Sequence, residues 1–163
     1  MKTVLTKIVL EELINNLSNC VIVCDAKGNF ILWNTAAKNT VGIQCEISST
    51  GTWQNYYQAF KMDGTAYEDN NYPIMRAVLN GENIKKERML INNQSNNTKS
   101  WLEVDAFPVR NTAGQVVAGV ASFTDVTNNV KMEKMIDEFE IQIEHMRQLI
   151  SNSIKKVLKP ITT

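Results

Sequence analysis

The sequence predicts an α+β fold in which short helices flank a five-stranded, mainly antiparallel sheet, with an amphipathic helix before the sheet and a long coiled-coil helix after it. Two β-prone runs joined by a glycine-containing turn, and three further β-prone runs in the second half, predict the sheet. An apolar heptad pattern near the C-terminus predicts the long helix. The expected segments are an N-terminal amphipathic helix at 1–17, a globular domain at 18–127, a coiled-coil helix at 128–158 and a tail at 159–163.

The composition is that of an ordinary globular protein without a strong charge. Of 163 residues, 44% are hydrophobic, and 17 basic residues balance 17 acidic ones, so the formal net charge is zero. Binding to a phosphate backbone requires a basic excess, so no nucleic-acid partner is expected. The apolar runs are far shorter than the ~20 residues that span a bilayer, and no signal-peptide core follows the N-terminus. We therefore expect a cytoplasmic protein with no membrane partner.

The N-terminal segments predict the first helix and the first two strands. Apolar residues recur at helical spacing through 3–17, which indicates an amphipathic helix. The β-prone runs 20–24 and 30–33 flank a turn in which Gly28 can adopt a positive φ. Together these runs predict a β-hairpin.

The middle of the chain predicts short helices. Asn34 stands just before an Ala-rich segment and is expected to cap a helix that ends near Gly42, because its side chain can accept from the free N–H groups of the first turn. Residues 44–69 are the least periodic and predict short helical pieces and loop. Residues 70–80 predict another helix, with Pro73 in its first turn.

Three strands follow these helices. The β-prone runs are 84–91, 101–109 and 115–125, and polar turn segments separate them. In the second run, apolar residues alternate with Trp101 and with charged residues, which predicts one buried and one exposed face.

The C-terminal segment predicts a helix that pairs with a second copy. From Met132 onward, apolar positions advance alternately by four and three residues, as in a heptad repeat. The predicted dimer seam consists of Met132, Ile136, Phe139, Ile143, Met146 and Ile150, and the pattern continues through Ser153 and Val157. No glycine or proline interrupts 127–158, so the helix is expected to be roughly 45 Å long. We predict a parallel homodimer, with the helix at 3–17 also at the interface.

Three stretches, in order and at family spacing, resemble the PAS superfamily, in particular the PAS domains N-terminal to histidine kinases and diguanylate cyclases. The first resembles the opening hairpin and the Asn that caps the first core helix. The second is similar to the Asp-Gly…Pro-Leu-x-Arg-Ala-x-x-Gly-Glu segment of one subgroup, and the third to the last two strands and an Asp-[Ile/Val]-Thr junction. The stretches are 21–37, 63–65 with 72–82, and 101–109 with Asp125-Val126-Thr127. The resemblance covers about residues 8–127 and implies the PAS fold.

The resemblance implies a sensor and signal-transduction module. Such a module would dimerise and relay a change in its core, through the signalling junction Asp125, Val126 and Thr127, to the coiled-coil helix. The output would lie in a further domain or in a partner such as a histidine kinase of a two-component system. The alternative is a ligand-free interaction and dimerisation module that docks on a separate kinase or regulator. No catalytic residue is predicted, so we expect no enzyme.

The resemblance also implies a ligand pocket between the sheet and the helices. Its candidate residues are Trp33, Trp53, Tyr56, Arg76 and Trp101. Arg76 could bind a carboxylate through a bidentate pair, or it could form a surface or interface salt bridge. The aromatic side chains could shape a cavity or simply pack the core.

The cofactor stays unknown, but two types are not expected. Residues 18–127 contain no histidine to serve as the axial ligand of a haem. Cys45 lies in a sequence that departs from the Asn-Cys-Arg-Phe-Leu-Gln motif of light-oxygen-voltage domains, which argues against a flavin adduct. His145 falls on the solvent side of the heptad, and its neighbours lack a phosphoacceptor pattern. No metal site is predicted.

Overall fold

The computed structural model describes residues 2–41, 58–93 and 97–158. The chain forms two compact units, the first ending at Val126 and the second beginning at Thr127. In chain order the elements are α1 (Lys2–Asn15), β1 (Cys20–Asp25), β2 (Phe30–Trp33), α2 (Thr35–Val41), β3 (Gln58–Phe60), α3 (Pro73–Asn80), β4 (Ile84–Asn93), β5 (Thr98–Arg110), β6 (Val116–Asp125) and α4 (Thr127–Leu158).

The strands form one antiparallel sheet in the order β2-β1-β6-β5-β4-β3. The predicted α+β class and antiparallel sheet are confirmed, but the predicted count of five strands is wrong because the described residues form six. The additional strand is β3, inside the segment 44–69 for which helical pieces and loop are expected. With three residues, β3 is too short to show a period-2 pattern. Residues 44–57 of that segment lie outside the described part of the chain.

The helices begin and end close to the predicted positions. The predicted helix at 70–80 is shorter, because Asp69–Asn71 form a 3₁₀ turn and α3 begins at Pro73. Proline suits this first position because its missing N–H would have no helical partner there. Gly81, with a φ of 68°, ends the helix in the left-handed conformation. The helix α4 begins at Thr127, one residue earlier than predicted.

One hydrophobic core lies between the sheet and the helices α2 and α3. Alternate residues of β1, β5 and β6 are buried on this side, as the period of a strand requires. These inward-facing residues include Ile22, Cys24, Leu102, Val104, Ala106, Ala121 and Phe123. Buried side chains of α3, among them Ile74, Ala77 and Val78, belong to the same cluster.

Gly119 allows α3 to lie close to β6. A Cβ atom at this position would stand 2.5 Å from Cγ2 of Val78 and 3.2 Å from Sγ of Cys24.

We therefore predict that Gly119→Ala lowers the free energy of unfolding by about 1–3 kcal/mol, because the added methyl group overpacks the core. Urea denaturation measures the loss. In a Val78→Ala background the nearest clash is absent and the cost should shrink; equal costs in both backgrounds would contradict the packing argument.

Candidate functional site

A small cavity lies inside the core of the first unit. Buried residues line it, including Ile22, Ile74, Met89, Leu102, Val104 and Phe123, together with Tyr72. Its volume is about 30 Å³, well below the ~300–1,000 Å³ of pockets that hold drug-sized ligands. An apolar cavity of this kind stays dry. In its present shape the cavity accommodates only a few atoms, which is far less than a flavin or a haem.

The two described pocket aromatics, Trp33 and Trp101, are not among the residues that line this cavity. Trp33 is buried at the end of β2 but does not belong to the described lining. Trp101 is half-buried on β5 and follows the strand alternation, so it faces away from the side on which Leu102 is buried. Trp53 and Tyr56 lie outside the described residues. A ligand role for these four side chains stays a prediction.

Arg76 joins α3 to β4 through two ion pairs. Its Nε donates to Glu82 at 3.0 Å, and one terminal nitrogen donates to both carboxylate oxygens of Glu87 at 3.0 and 2.9 Å. Burial disfavours the charged guanidinium, but the hydrogen bonds to Glu82 and Glu87 outweigh this effect and raise the pKa of Arg76. Two of its three nitrogens are therefore engaged in ion pairs within the chain, and a ligand role for Arg76 stays a prediction.

Tyr67 and Tyr72 form an aromatic pair that the sequence did not single out. Their rings stack with centroids 5.4 Å apart and an interplanar angle of 27°. The hydroxyl of Tyr67 donates to Glu87 at 2.8 Å, so the Arg76 ion pair also positions this ring. Burial raises the pKa of Tyr72 to about 12. The pair was missed because Tyr67 falls in the aperiodic segment 44–69, where no alternation indicates which side chains are buried.

Asn34 connects three elements of the first unit and is fully buried. Its Oδ1 accepts from the N–H groups of Val21 and Ala37, each at 2.9 Å. Its Nδ2 donates to the carbonyl oxygens of Ile14 and Asn19 at 3.1 and 2.8 Å. The bond from Ala37 is the predicted helix cap. The other three bonds hold the end of α1 and the start of β1 together.

The predicted junction is continuous with the sheet. β6 ends at Asp125, which pairs in register with Leu102 of β5. The N–H of Val126 donates to the carbonyl oxygen of Trp101 at 2.8 Å and thereby extends the pairing by one residue. Thr127 is already the first residue of α4. A single residue, Val126, therefore separates the strand from the helix.

The predicted seam is exposed along the second unit. Its six members, Met132, Ile136, Phe139, Ile143, Met146 and Ile150, are between 46% and 63% exposed. Ile141 lies off the seam and is 71% exposed. These values describe one copy of α4 with an apolar stripe open to solvent.

The titratable residues of the described part of the chain were compared with the requirements of a metal site. The described part of the chain holds no group of three or more His, Cys, Asp or Glu side chains that could bind a metal ion. Cys20 and Cys24 are both buried and unpaired by a disulfide, and burial raises the pKa of the Cys24 thiol to about 11. His145 is exposed on α4. None of the described helices is both long and apolar enough to cross a membrane.

A family model described as a PAS domain matches residues 18–128. The chain therefore belongs to the PAS domain family, which confirms the resemblance to the PAS superfamily, whereas the subgroup N-terminal to histidine kinases and diguanylate cyclases stays a prediction. The PAS fold is typical of sensor and signal-transduction modules, which are generally not catalytic. A search among curated protein sequences found no match.

Solved structures share this fold at low sequence identity. An RNA-binding light-oxygen-voltage receptor matches with a TM-score of 0.61 and 21% identity over 85% of this chain and 38% of its own. The PAS domain of the fruit-fly ELK potassium channel matches with a TM-score of 0.54 and 16% identity, over 76% of this chain and 97% of that one. The PAS domain of an HTR-like protein from Haloarcula marismortui matches with a TM-score of 0.52 and 16% identity, over 76% of this chain and 94% of that one. At these identities the likeness shows the fold alone, and this chain spans well under half the length of the receptor.

Proposed function

We propose that this chain is a sensor module that forms a homodimer and relays a change in its core, through a C-terminal coiled coil, to an output domain or a partner such as a histidine kinase. Membership of the PAS domain family supports the sensor class. The observation that carries the dimer and the relay is the exposed apolar seam on α4. The described residues suggest no catalytic constellation, so we propose no enzymatic activity.

The seam supports pairing with a second copy. A long helix with an apolar stripe gains most of its stability by burying that stripe against another element. Because the apolar positions repeat at heptad spacing, a second α4 presents knobs and holes at the same spacing. A parallel pair places each seam residue beside its own counterpart, and the one polar position, Ser153, then meets Ser153 of the second copy.

The junction supports the relay. β6 lies in the middle of the sheet, paired with β1 on one side and β5 on the other, and its inward face contributes to the core. A shift of β6 against β5 would reach α4 across a single residue, Val126. The helix pair would then be a two-state element whose balance the core biases from one end.

The alternative function, a ligand-free module that docks on a separate kinase or regulator, is favoured by one observation. The core cavity of about 30 Å³ offers no room for a drug-sized ligand without a rearrangement. In this alternative, the chain dimerises and binds its partner whatever the state of the core.

Amide hydrogen exchange of α4 tests the relay. Leu102→Val alters a buried side chain opposite Asp125 in the sheet register, whereas the matched Val117→Ala alters an exposed side chain at the far end of β6. We expect Leu102→Val to change the exchange of amides between 128 and 145 by about tenfold, and Val117→Ala to leave it as in the wild type. Unchanged α4 exchange in Leu102→Val, with exchange altered in β5 and β6, would rule out the relay and favour the docking module.

A further inference from the structure

Asn80 and Gly81 form the only Asn-Gly pair of the sequence, and the pair lies at the end of α3. Asparagine is a chemically labile residue, and a following glycine leaves the side-chain amide carbon open to attack by the next backbone nitrogen, because glycine has no Cβ. Asn80 is exposed, so water also reaches it. The pair therefore has the two features that intramolecular deamidation requires.

Two hydrogen bonds hold this pair while the end of α3 is intact. The N–H of Gly81 donates to the carbonyl oxygen of Arg76, and Nδ2 of Asn80 donates to Oε1 of Glu82 at 2.8 Å. The other carboxylate oxygen of Glu82 accepts from Nε of Arg76 at 3.0 Å. A backbone nitrogen whose proton is bonded to a carbonyl oxygen is a poor nucleophile. The capped end of the helix therefore protects the pair.

The cap lies where α3 opens most easily. The end of a helix unfolds locally at a lower free energy than the elements of the core. Leu79 is 52% exposed and Asn80 is also exposed, whereas Ala77 and Val78 just before them are buried. Opening of the last residues of α3 therefore breaks few apolar contacts, and it releases the Gly81 nitrogen and the Asn80 amide together.

We propose that Asn80 is a site of spontaneous deamidation, and that opening of the α3 cap sets its rate. In the open state, the nitrogen of Gly81 loses its proton and forms a bond to Cγ of Asn80. The bond from Cγ to Nδ2 breaks, and Nδ2 takes up that proton and leaves as ammonia. Water then opens the resulting succinimide ring. Attack at Cγ gives aspartate, and attack at the backbone carbonyl carbon of Asn80 gives isoaspartate.

Both products favour the open end of α3. In the aspartate product, a carboxylate takes the place of the amide that lies 2.8 Å from Oε1 of Glu82, so two like charges repel each other. The isoaspartate product instead adds a methylene group to the main chain, which displaces Gly81 from its bond to Arg76. Because ammonia is lost, the change is permanent. This modification goes beyond the proposed function and does not depend on the dimer.

Peptide mapping by mass spectrometry tests the site in the full chain, incubated in mildly alkaline buffer. Asn111 serves as the internal control, because it is exposed in a turn but precedes Thr112. We expect Asn80 to deamidate about tenfold faster than Asn111, since the β-branched side chain of Thr112 hinders the attack. In urea, where the cap is lost, Asn80 should react about tenfold faster than in the folded chain.

Two variants separate the reacting residue from the cap. Glu82→Ala removes the partner of the Asn80 amide and should speed the reaction at least about threefold in the folded chain. Asn80→Gln should stop it, because the longer side chain must close a larger and slower ring. Circular dichroism checks that both variants are folded, and the urea comparison decides the question of the cap if Glu82→Ala is not. Equal rates at Asn80 and Asn111 would overturn the site. A rate that neither urea nor Glu82→Ala raises would overturn the role of the cap.

Discussion

Replacing Asn34 by aspartate is expected to lower the free energy of unfolding by about 4 kcal/mol, a large share of the ~5–15 kcal/mol typical of a domain. The amide group of Asn34 donates to the carbonyl oxygens of Ile14 and Asn19. A carboxylate has no hydrogen to donate, so two oxygen–oxygen contacts would replace two hydrogen bonds. The new charge would also be fully buried, and the four hydrogen bonds described for this side chain all go to backbone groups, none of which is a cation. Urea denaturation of the purified chain measures the loss.

The pH dependence separates this mechanism from a general packing defect. Burial raises the folded-state pKa of an introduced carboxyl above its unfolded value, because the neutral form is favoured in the core. The loss in the free energy of unfolding of Asn34→Asp should therefore be largest at about pH 7. It should shrink as the pH is lowered to about 4, where protonation of the carboxyl group restores one hydrogen-bond donor. Asn39→Asp, on the exposed side of the same short helix α2, is the matched control and should cost little. A pH-independent deficit, or an equal loss in both variants, would contradict the role assigned to the Asn34 amide.

The role of Asn34 shows what local sequence can and cannot predict. An Asn before an Ala-rich segment predicts a helix cap, because capping depends on the next few residues alone. The bonds to Ile14 and Asn19 depend on where the chain returns after the hairpin, and no local pattern encodes that position. The sequence therefore predicted one of the four bonds of this side chain.

The sequence does not indicate the partner of Arg76 on β4, because this strand contains a bulge. Strict alternation from the buried Ile84 would place residue 86 on the inner face and Glu87 on the outer face. The register shifts between Ile84 and Glu87, and Lys86 takes a positive φ of 51°. This extra residue reverses the faces, so Glu87 pairs with the inward-facing Val104 and reaches Arg76 from the core side. A strict period of two therefore assigns the wrong faces beyond a bulge that the sequence does not reveal.

For Trp101, in contrast, the alternation along β5 does predict the face of the sheet on which the side chain lies. The pattern of β5 places Leu102 on the buried face, so its neighbour Trp101 must face the other way. The family resemblance implies a pocket role for Trp101, which stays a prediction. The strand period already argued against a place beside the core cavity, and the structure has Trp101 half-buried on the other face.

In the second unit, Ile143→Asp is expected to convert the proposed homodimer to a monomer. The side chain lies in the middle of the seam, and in a parallel pair it would face Ile143 of the second copy. The substitution removes two buried isoleucines and places two like charges in one layer. We expect a loss of about 4 kcal/mol or more in association free energy, which is about a thousandfold in Kd. Sedimentation at tens of micromolar should show a dimer for the wild type and a monomer for Ile143→Asp.

Ile141→Asp is the matched control for this prediction. It introduces the same charge on the same helix, two residues away, at a position that is 71% exposed and lies off the heptad seam. If the seam forms the interface, Ile141→Asp stays dimeric, because its carboxylate remains in water. Dissociation of both variants would show that charge at any site on α4 disrupts association, and a monomeric wild type would remove the homodimer altogether. Because Ile141 and Ile143 differ in heptad position but not in chemistry, a difference between the two variants can come only from the face of the helix on which each residue lies.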